Sequence, residues 1–338
     1  MRFVDRNKLL IIICIIFILS LLSGSIILNY FYDGKIPRTS FLTDDLGKVI
    51  SAAPFAPSLS FPFGTDRNGY DMFFKVLQGA QYTLGAAIII SLLSFAISFI
   101  VGVIGGFRNT KLKAVSNNIF TAFYFIPQSI IAYNILYPLL WEPYEGFTTT
   151  FTERLIWQVI VIALITVPTT AILIANEIKL ILQKEFITSA KVLGGRNLFL
   201  LQKHVLPHLK LQLFMIFPKI IIQVLLIIAH LGFFLLFFGG TNVCYGPYCD
   251  PPSPIVQEWS GLMAMNLKEL TNAWWIFMAP MIFFTLTILS LNGITKGLQG
   301  VLKKERKLQM SSIEQRKEQK EVIDIQQNGS ENKFEFTS

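Results

Sequence analysis

The sequence predicts an all-α integral membrane protein with six transmembrane helices. Of its 338 residues, 53% are hydrophobic and only 15% are charged, where a soluble domain carries roughly a quarter charged residues. Mean hydropathy is +0.55. Apolar runs recur at about 9–32, 82–106, 118–140, 155–177, 211–238 and 273–295. Each is near the roughly 20 residues a helix needs to cross the hydrocarbon core.

The first run follows MRFVDRNK. It is too long for the apolar region of a signal peptide and no A-x-A site follows it, so it reads as an uncleaved anchor span. The next five runs form a five-helix transmembrane core over 82–295. Before that core, 33–81 reads as an extracytoplasmic segment. Within it, Met72, Phe73, Val76 and Leu77 fall at helical spacing. They predict an amphipathic helix from about Tyr70 to Gln78, lying along the outer membrane surface as a gate element or a simple anchor. A polar loop at 178–210 and a second at 240–272 interrupt the core. The tail, 296–338, becomes rich in Glu, Gln, Lys and Ser and reads as partly disordered.

Charge sets the orientation. With the N-terminus in the cytoplasm, the segments on that side hold 21 of the 29 Lys and Arg residues. The outer segments hold seven, and Lys219 falls inside the fifth span. This bias predicts a multi-pass cell-membrane protein with both termini cytoplasmic. The formal net charge of +8 therefore reflects orientation in lipid and does not predict nucleic-acid binding.

Several chemistries lack their motifs. The chain has no G-x-x-x-x-G-K-S/T for nucleotide phosphates, no H-E-x-x-H and no G-x-S-x-G. It is not expected to be an enzyme or to bind a cofactor or metal. His204 and His208 are four apart, but Pro207 intervenes and disturbs their shared helical face. Cys14 lies within the first span. Cys244 and Cys249 flank YGPY in the outer loop, either as a disulfide or as two free thiols.

The loop EFITSAKVLGGRNLFLLQKHVLPH (185–208) is the most informative polar stretch. Phe186 to Leu193 favours helix, and Thr188, Ser189 and Ala190 give it a small-residue surface that another protein can approach closely. Gly194 and Gly195 break that helix and turn the chain. Leu198 to Val205 reads as a second short amphipathic helix, ended by Pro207 before the fifth span. Such a loop is a rigid knob on the inner face.

The order of small residues, Gly, then H-x-L-P resembles the EAA loop of permease subunits of binding-protein-dependent ABC importers. Ala190, Leu193, Gly194, His204, Leu206 and Pro207 fit that pattern, and Thr188, Ser189 and His208 depart from it. FPFGTDRNGYDMFFKVLQGAQYTL (61–84) is similar to the segment before the second span of oligopeptide and dipeptide permeases. Phe63, Gly64, Thr65, Asp66, Gly69 and Asp71 fit F-G-T-D-x-x-G-x-D, and Leu77, Gly79 and Ala80 fit L-x-G-A. Physically, Gly64 and Gly69 hold a turn, with Asp66 capping the helix that leads into the membrane. PPSP (251–254) and LNGITKGL (291–298) extend the resemblance over about 1–305.

The resemblance implies a type I ABC importer permease for short peptides, paired with a homologous permease subunit as a heterodimer. Two cytoplasmic ABC ATPase subunits would use ATP and Mg and seat the Glu185–Leu193 helix. An extracytoplasmic solute-binding protein would deliver substrate to the outer loops. Relatives that carry nickel chelates or glutathione supply the alternative substrates. An ion-coupled secondary transporter, or a non-transporting sensor on the same scaffold, are the alternatives in mechanism.

Overall fold

The computed structural model describes residues 6–31, 34–44, 48–107 and 126–303. Helix α1 is Arg6–Phe31 and α2 is Met72–Phe107. Helix α3 is Gln128–Leu140 and α4 is Phe151–Leu182. The short α5 is Glu185–Val192. Helix α6 runs over Asn197–Phe233, α7 is Trp259–Met265 and α8 is Trp274–Lys303. Strands β1 (Phe41–Thr43) and β2 (Val49–Ala52) pair antiparallel, as do β3 (Thr241–Asn242) and β4 (Ser253–Pro254).

Among the described residues, five helices are long and apolar enough to cross a membrane: α1, α2, α4, α6 and α8. The chain is an all-α integral membrane protein. The run expected at 118–140 contributes only α3 to the described residues; its positions 118–125 lie outside them. At 1.5 Å per residue α3 spans about 20 Å, short of the roughly 30 Å core.

The central seam joins α2 to α4. In lipid no hydrophobic effect separates one apolar helix face from another, so close backbone approach and hydrogen bonds decide the pairing. Ser91, Ser94, Ser98, Gly102 and Gly106 supply one buried stripe along α2. Thr166 donates its hydroxyl to Ser94 Oγ at 2.7 Å. A Cβ on Gly102 would lie 2.8 Å from Ile174 Cβ, and one on Gly106 would lie 2.7 Å from Ile178 Cγ2. Only glycine permits this approach.

The resemblance motif at 291–298 has a similar physical basis. A Cβ on Gly293 would meet Cys14 Sγ at 2.7 Å, and one on Gly297 would meet Ile11 Cγ1 at 2.5 Å. Helix α8 is thereby seated on α1. On its other side α1 is tied to α2: Ser25 donates to Gln78 O at 3.1 Å and accepts from Gln81 N–H at 3.2 Å.

Two expectations need correction. The stretch Tyr70–Gln78 is not a separate interfacial helix. Helix α2 starts at Met72 and continues into the membrane without a break, and Met72 and Val76 are fully buried in the protein core. Their apolar face meets protein where a headgroup layer was expected. Pro207, in turn, does not end a helix. The chain from Asn197 runs through it, and Leu201–Val205 takes the wider π-helical form just before it. A π-turn relieves the clash and the missing hydrogen bond that proline imposes on the preceding turn.

Candidate functional site

Two sites emerge at opposite ends of the spans. At one, α4 ends at Leu182 and α5 begins at Glu185. Glu185 sits in the first turn of α5 and Lys191 in the last, both favourable to the helix dipole. The end of α5 closes in a Schellman arrangement: Gly194 N–H donates to Lys191 O and Gly195 N–H donates to Ala190 O, each at 3.0 Å. Gly194 has φ +87° with open space around a Cβ position, so its requirement is purely conformational. Gly195 is tight, with Ala190 O only 2.7 Å from its would-be Cβ.

One side chain anchors α5. Ile187 is fully buried, in the same core as Ile181, Leu200, Val205 and Leu209. The opposite surface is bare. Glu185, Thr188 and Ser189 are exposed, Ala190 is half-buried, and Val192 and Leu193 reach 82% and 87% exposure. His204 bridges the two arms of the loop, with its ring 5.6 Å from Phe199 and 6.3 Å from Phe186. His208 packs on Phe186 from the next turn at 5.3 Å. Both histidines are braces between α5 and the foot of α6. Leu206 and Pro207 are exposed beside them. The product is an apolar tip on a rigid, aromatic-braced mount, and exposed apolar surface of this kind marks an interaction site.

At the other end, residues 63–71 form a cradle around the head of α2. Phe63 stacks on Phe73 at 5.9 Å and meets Phe283 of α8 edge-on at 5.5 Å. Gly64 has φ +70°, and a Cβ there would lie 2.6 Å from the Trp275 ring. Thr65 is fully buried; its Oγ1 accepts from Phe55 N–H at 2.8 Å, and its carbonyl accepts from Trp275 Nε1 at 3.1 Å. Gly69, at φ +81°, presses its backbone against Thr39 O, 2.2 Å from the would-be Cβ.

The roles of the two aspartates differ from expectation. Asp71 Oδ1, and not Asp66, accepts the Phe73 N–H at the start of α2, at 2.8 Å. Asp66 closes the turn instead. Its Oδ1 accepts from Asn68 and Tyr70 N–H, each at 2.9 Å, and its Oδ2 pairs with Lys75 at 2.7 Å. The reason is reach: Asp71 immediately precedes α2, whereas the Gly69 turn folds Asp66 back on its own loop. Burial pushes the Asp71 carboxyl above the usual carboxylate range, and the N–H groups of Phe73 and Phe74 pull it partly back.

The cradle continues into a segment that sequence reasoning missed. Trp259 is fully buried beneath the head of α2; its Nε1 donates to Val76 O at 2.7 Å and its N–H to Thr83 Oγ1 at 3.0 Å. A Cβ on Gly79 would sit 2.3 Å from Gln257 O. That crossing explains the L-x-G-A pattern, whose small residues leave room for 257–259. Glu258 is completely buried. It accepts from Ser260 N–H and Gly261 N–H at 2.7 and 2.6 Å, and from Ser260 Oγ at 2.7 Å. Burial drives its carboxyl upward, opposed by those same hydrogen bonds. Beyond β3, Cys244 and Cys249 are joined as a disulfide, with Cα atoms 5.4 Å apart. Tyr245 inside that loop donates to Glu142 O at 2.6 Å.

Known proteins give an independent view of this geometry. Residues 98–307 match the family described as binding-protein-dependent transport system inner membrane component. Over 245 residues the chain is 26% identical to the peptide transport system permease protein SapC of Haemophilus influenzae, covering 71% of this chain and 74% of that protein. It is 24% identical over 252 residues to the dipeptide transport system permease protein DppC of Bacillus subtilis, covering 73% and 69%. To the glutathione transport system permease protein GsiD of Escherichia coli O1:K1 / APEC it is 25% identical over 246 residues, covering 73% of each.

Proposed function

The chain belongs to the binding-protein-dependent transport system inner membrane component family, and on that premise we propose that it is a permease subunit importing short peptides at the expense of ATP. Six spans, with both termini in the cytoplasm of a cell-membrane protein, complete this reading. A homologous permease subunit forms the other half of the path. Two ABC ATPase subunits hold the ATP and Mg, and this chain supplies neither a catalytic group nor a cofactor site. A solute-binding protein docks on the outer face.

The observation that best supports the proposal is the tip of α5. It offers exposed apolar side chains at Val192 and Leu193 on a helix anchored through Ile187. An ATPase groove closing over that tip moves the mount as one body. Helices α4 and α6, which meet at the mount, carry the movement into the membrane, a rigid-body switch between inward and outward access. At the outer end, Asp66, Gly64 and Trp275 fix the head of α2 to α8, so displacement at one end is delivered to the other without loss in a soft loop.

Peptide permeases among the relatives support peptides as cargo over nickel chelates, and the glutathione permease leaves the substrate class close to peptides in any case. A family described as binding-protein-dependent does not favour an ion-coupled secondary transporter. The test is uptake by the complex reconstituted in proteoliposomes. Vanadate-sensitive accumulation of a radiolabelled tripeptide is expected, lost in Ala190→Trp although the variant inserts at wild-type levels. Normal uptake by Ala190→Trp would sink the coupling assignment.

A further inference from the structure

Three neutral polar side chains, from α3, α4 and α6, meet in one cluster. Gln223 Nε2 of α6 donates to Gln128 Oε1 of α3 at 2.6 Å and to Thr169 Oγ1 of α4 at 3.1 Å. Gln128 Nε2 donates to the same Thr169 hydroxyl at 3.3 Å. Counting 1.5 Å per residue, Gln223 lies about 15 Å from the outer end of α6, and Gln128 about 18 Å from that of α3. Gln223 lies within α6, and Gln128 is the first residue of α3. Polar side chains placed inside the hydrocarbon core mark function by default, because each unpaired polar atom there is costly.

The cluster opens on a groove of about 450 Å³. Gln223, Leu226, Ile227 and His230 line it from one face of α6, at the i, i+3, i+4 and i+7 spacing of a single helical stripe. Gln128 and Thr169 line the facing side. Among the described residues, no Asp, Glu, Lys or Arg lines it.

The hydrogen-bond inventory of the cluster is uneven. Thr169 is saturated, since its hydroxyl donates to Thr166 O at 3.1 Å and accepts from both glutamines. Both N–H bonds of the Gln223 amide are engaged, which among the described residues leaves its carbonyl oxygen to accept. Gln128 has accepted one bond and donated one, which leaves one N–H to donate. Between them the two glutamines offer an acceptor and a donor side by side, in a groove that Ser129 and His230 also line. A peptide group presents the complementary pair, one N–H and one C=O.

We propose that Gln128 and Gln223 form a peptide-backbone contact site within the translocation path, Gln223 Oε1 accepting a backbone N–H and Gln128 Nε2 donating to a backbone C=O. This rests on the reading of the chain as a peptide permease. Reading the backbone alone suits cargo of varied sequence, because the amide pair is common to every peptide and a fixed charge would select among side chains.

The full importer in proteoliposomes provides the test. Two cargoes are compared, radiolabelled trialanine and trialanine N-methylated at both peptide nitrogens, each delivered by saturating binding protein whose affinity for both is measured separately. Wild type is expected to import trialanine about tenfold faster, the scale of one hydrogen bond lost in a dry site. Gln223→Leu should slow trialanine about tenfold and bring the two cargoes within about twofold. A purely structural role would slow both cargoes equally and preserve their ratio, which overturns the site, as does a wild-type rate in Gln223→Leu. No trialanine uptake by the wild type overturns the functional reading itself. If Gln223→Leu does not assemble, benzoylphenylalanine at Leu226, with both glutamines retained, decides. Photo-crosslinking to radiolabelled trialanine during turnover supports the site, and crosslinking to lipid alone refutes it.

Discussion

Replacing Gly64 with alanine probes the cradle at its tightest point. The residue has φ +70°, and a Cβ there would lie 2.6 Å from Trp275 Cδ1 and 2.7 Å from both Trp275 Nε1 and Phe55 O. Unstrained carbon contacts lie at about 3.5–4.0 Å, so the Trp275 ring must retreat by about 1 Å. That retreat stretches the 3.1 Å bond from Trp275 Nε1 to Thr65 O, which costs about 1 kcal/mol. The left-handed backbone adds about 1–2 kcal/mol for a residue with a Cβ, and the forced repacking adds about 1–3 kcal/mol. The expected destabilisation of the outer end is about 3–6 kcal/mol. Gly64→Asn separates the terms, since asparagine tolerates the backbone but carries the same Cβ. Thermal unfolding of the purified complex and peptide uptake are the assays. Gly64→Ala should lower both, Gly64→Asn should be nearly as damaging, and Trp275→Ala should make the two variants milder. Wild-type unfolding and uptake in Gly64→Ala would refute the claim that this contact fixes α2 to α8.

Four further outcomes follow from particular contacts. Gly194→Pro, which cannot adopt φ +87° and loses the N–H bonded to Lys191 O, should abolish ATP-driven uptake while leaving membrane insertion intact, as read by membrane fractionation. Gly106→Leu should destabilise the α2–α4 seam by about 1–3 kcal/mol in thermal unfolding, and Ile178→Ala in the same chain should recover part of the loss. The proposed topology puts the Cys244–Cys249 disulfide on the outer face, so an impermeant maleimide should label intact cells only after reduction. Labelling without reductant would disprove the bond. Glu258 gives a pH signature: its folded carboxyl is raised by burial, so the native state holds its proton more tightly than the unfolded chain, whose reference value is 4.5. Stability contributed by Glu258 is then fully present below that value and falls as pH rises through the window up to the folded pKa. Unfolding temperatures measured across acidic to neutral pH should show this decline, and Glu258→Gln should flatten it.

The membrane class was legible in the chain because it depends on composition over about 20 residues, which any fold must satisfy. The knob was legible for a related reason. Its helix, its double-glycine stop and its histidines interact within a few turns, so Glu185–Val192 and Gly194 appear nearly as expected. The span 118–140 and the tail 296–338 fall partly or mostly outside the described residues, and the six-span topology remains part of the proposal. What sequence did not reveal depends on partners distant along the chain. Asp66 looked like the helix cap, yet Asp71 holds that place, because the direction of the Gly69 turn is set by contact with Thr39. Trp259 carried no periodic signal, and its importance comes from crossing α2 beside Gly79, where its ring bonds the Val76 carbonyl 183 positions away. Gln128, Thr169 and Gln223 are unremarkable one by one. Sequence determined which segments enter the lipid, since that follows from local transfer free energy. Tertiary structure alone decided which polar atoms meet there, since a buried donor must find its acceptor wherever helix packing brings one.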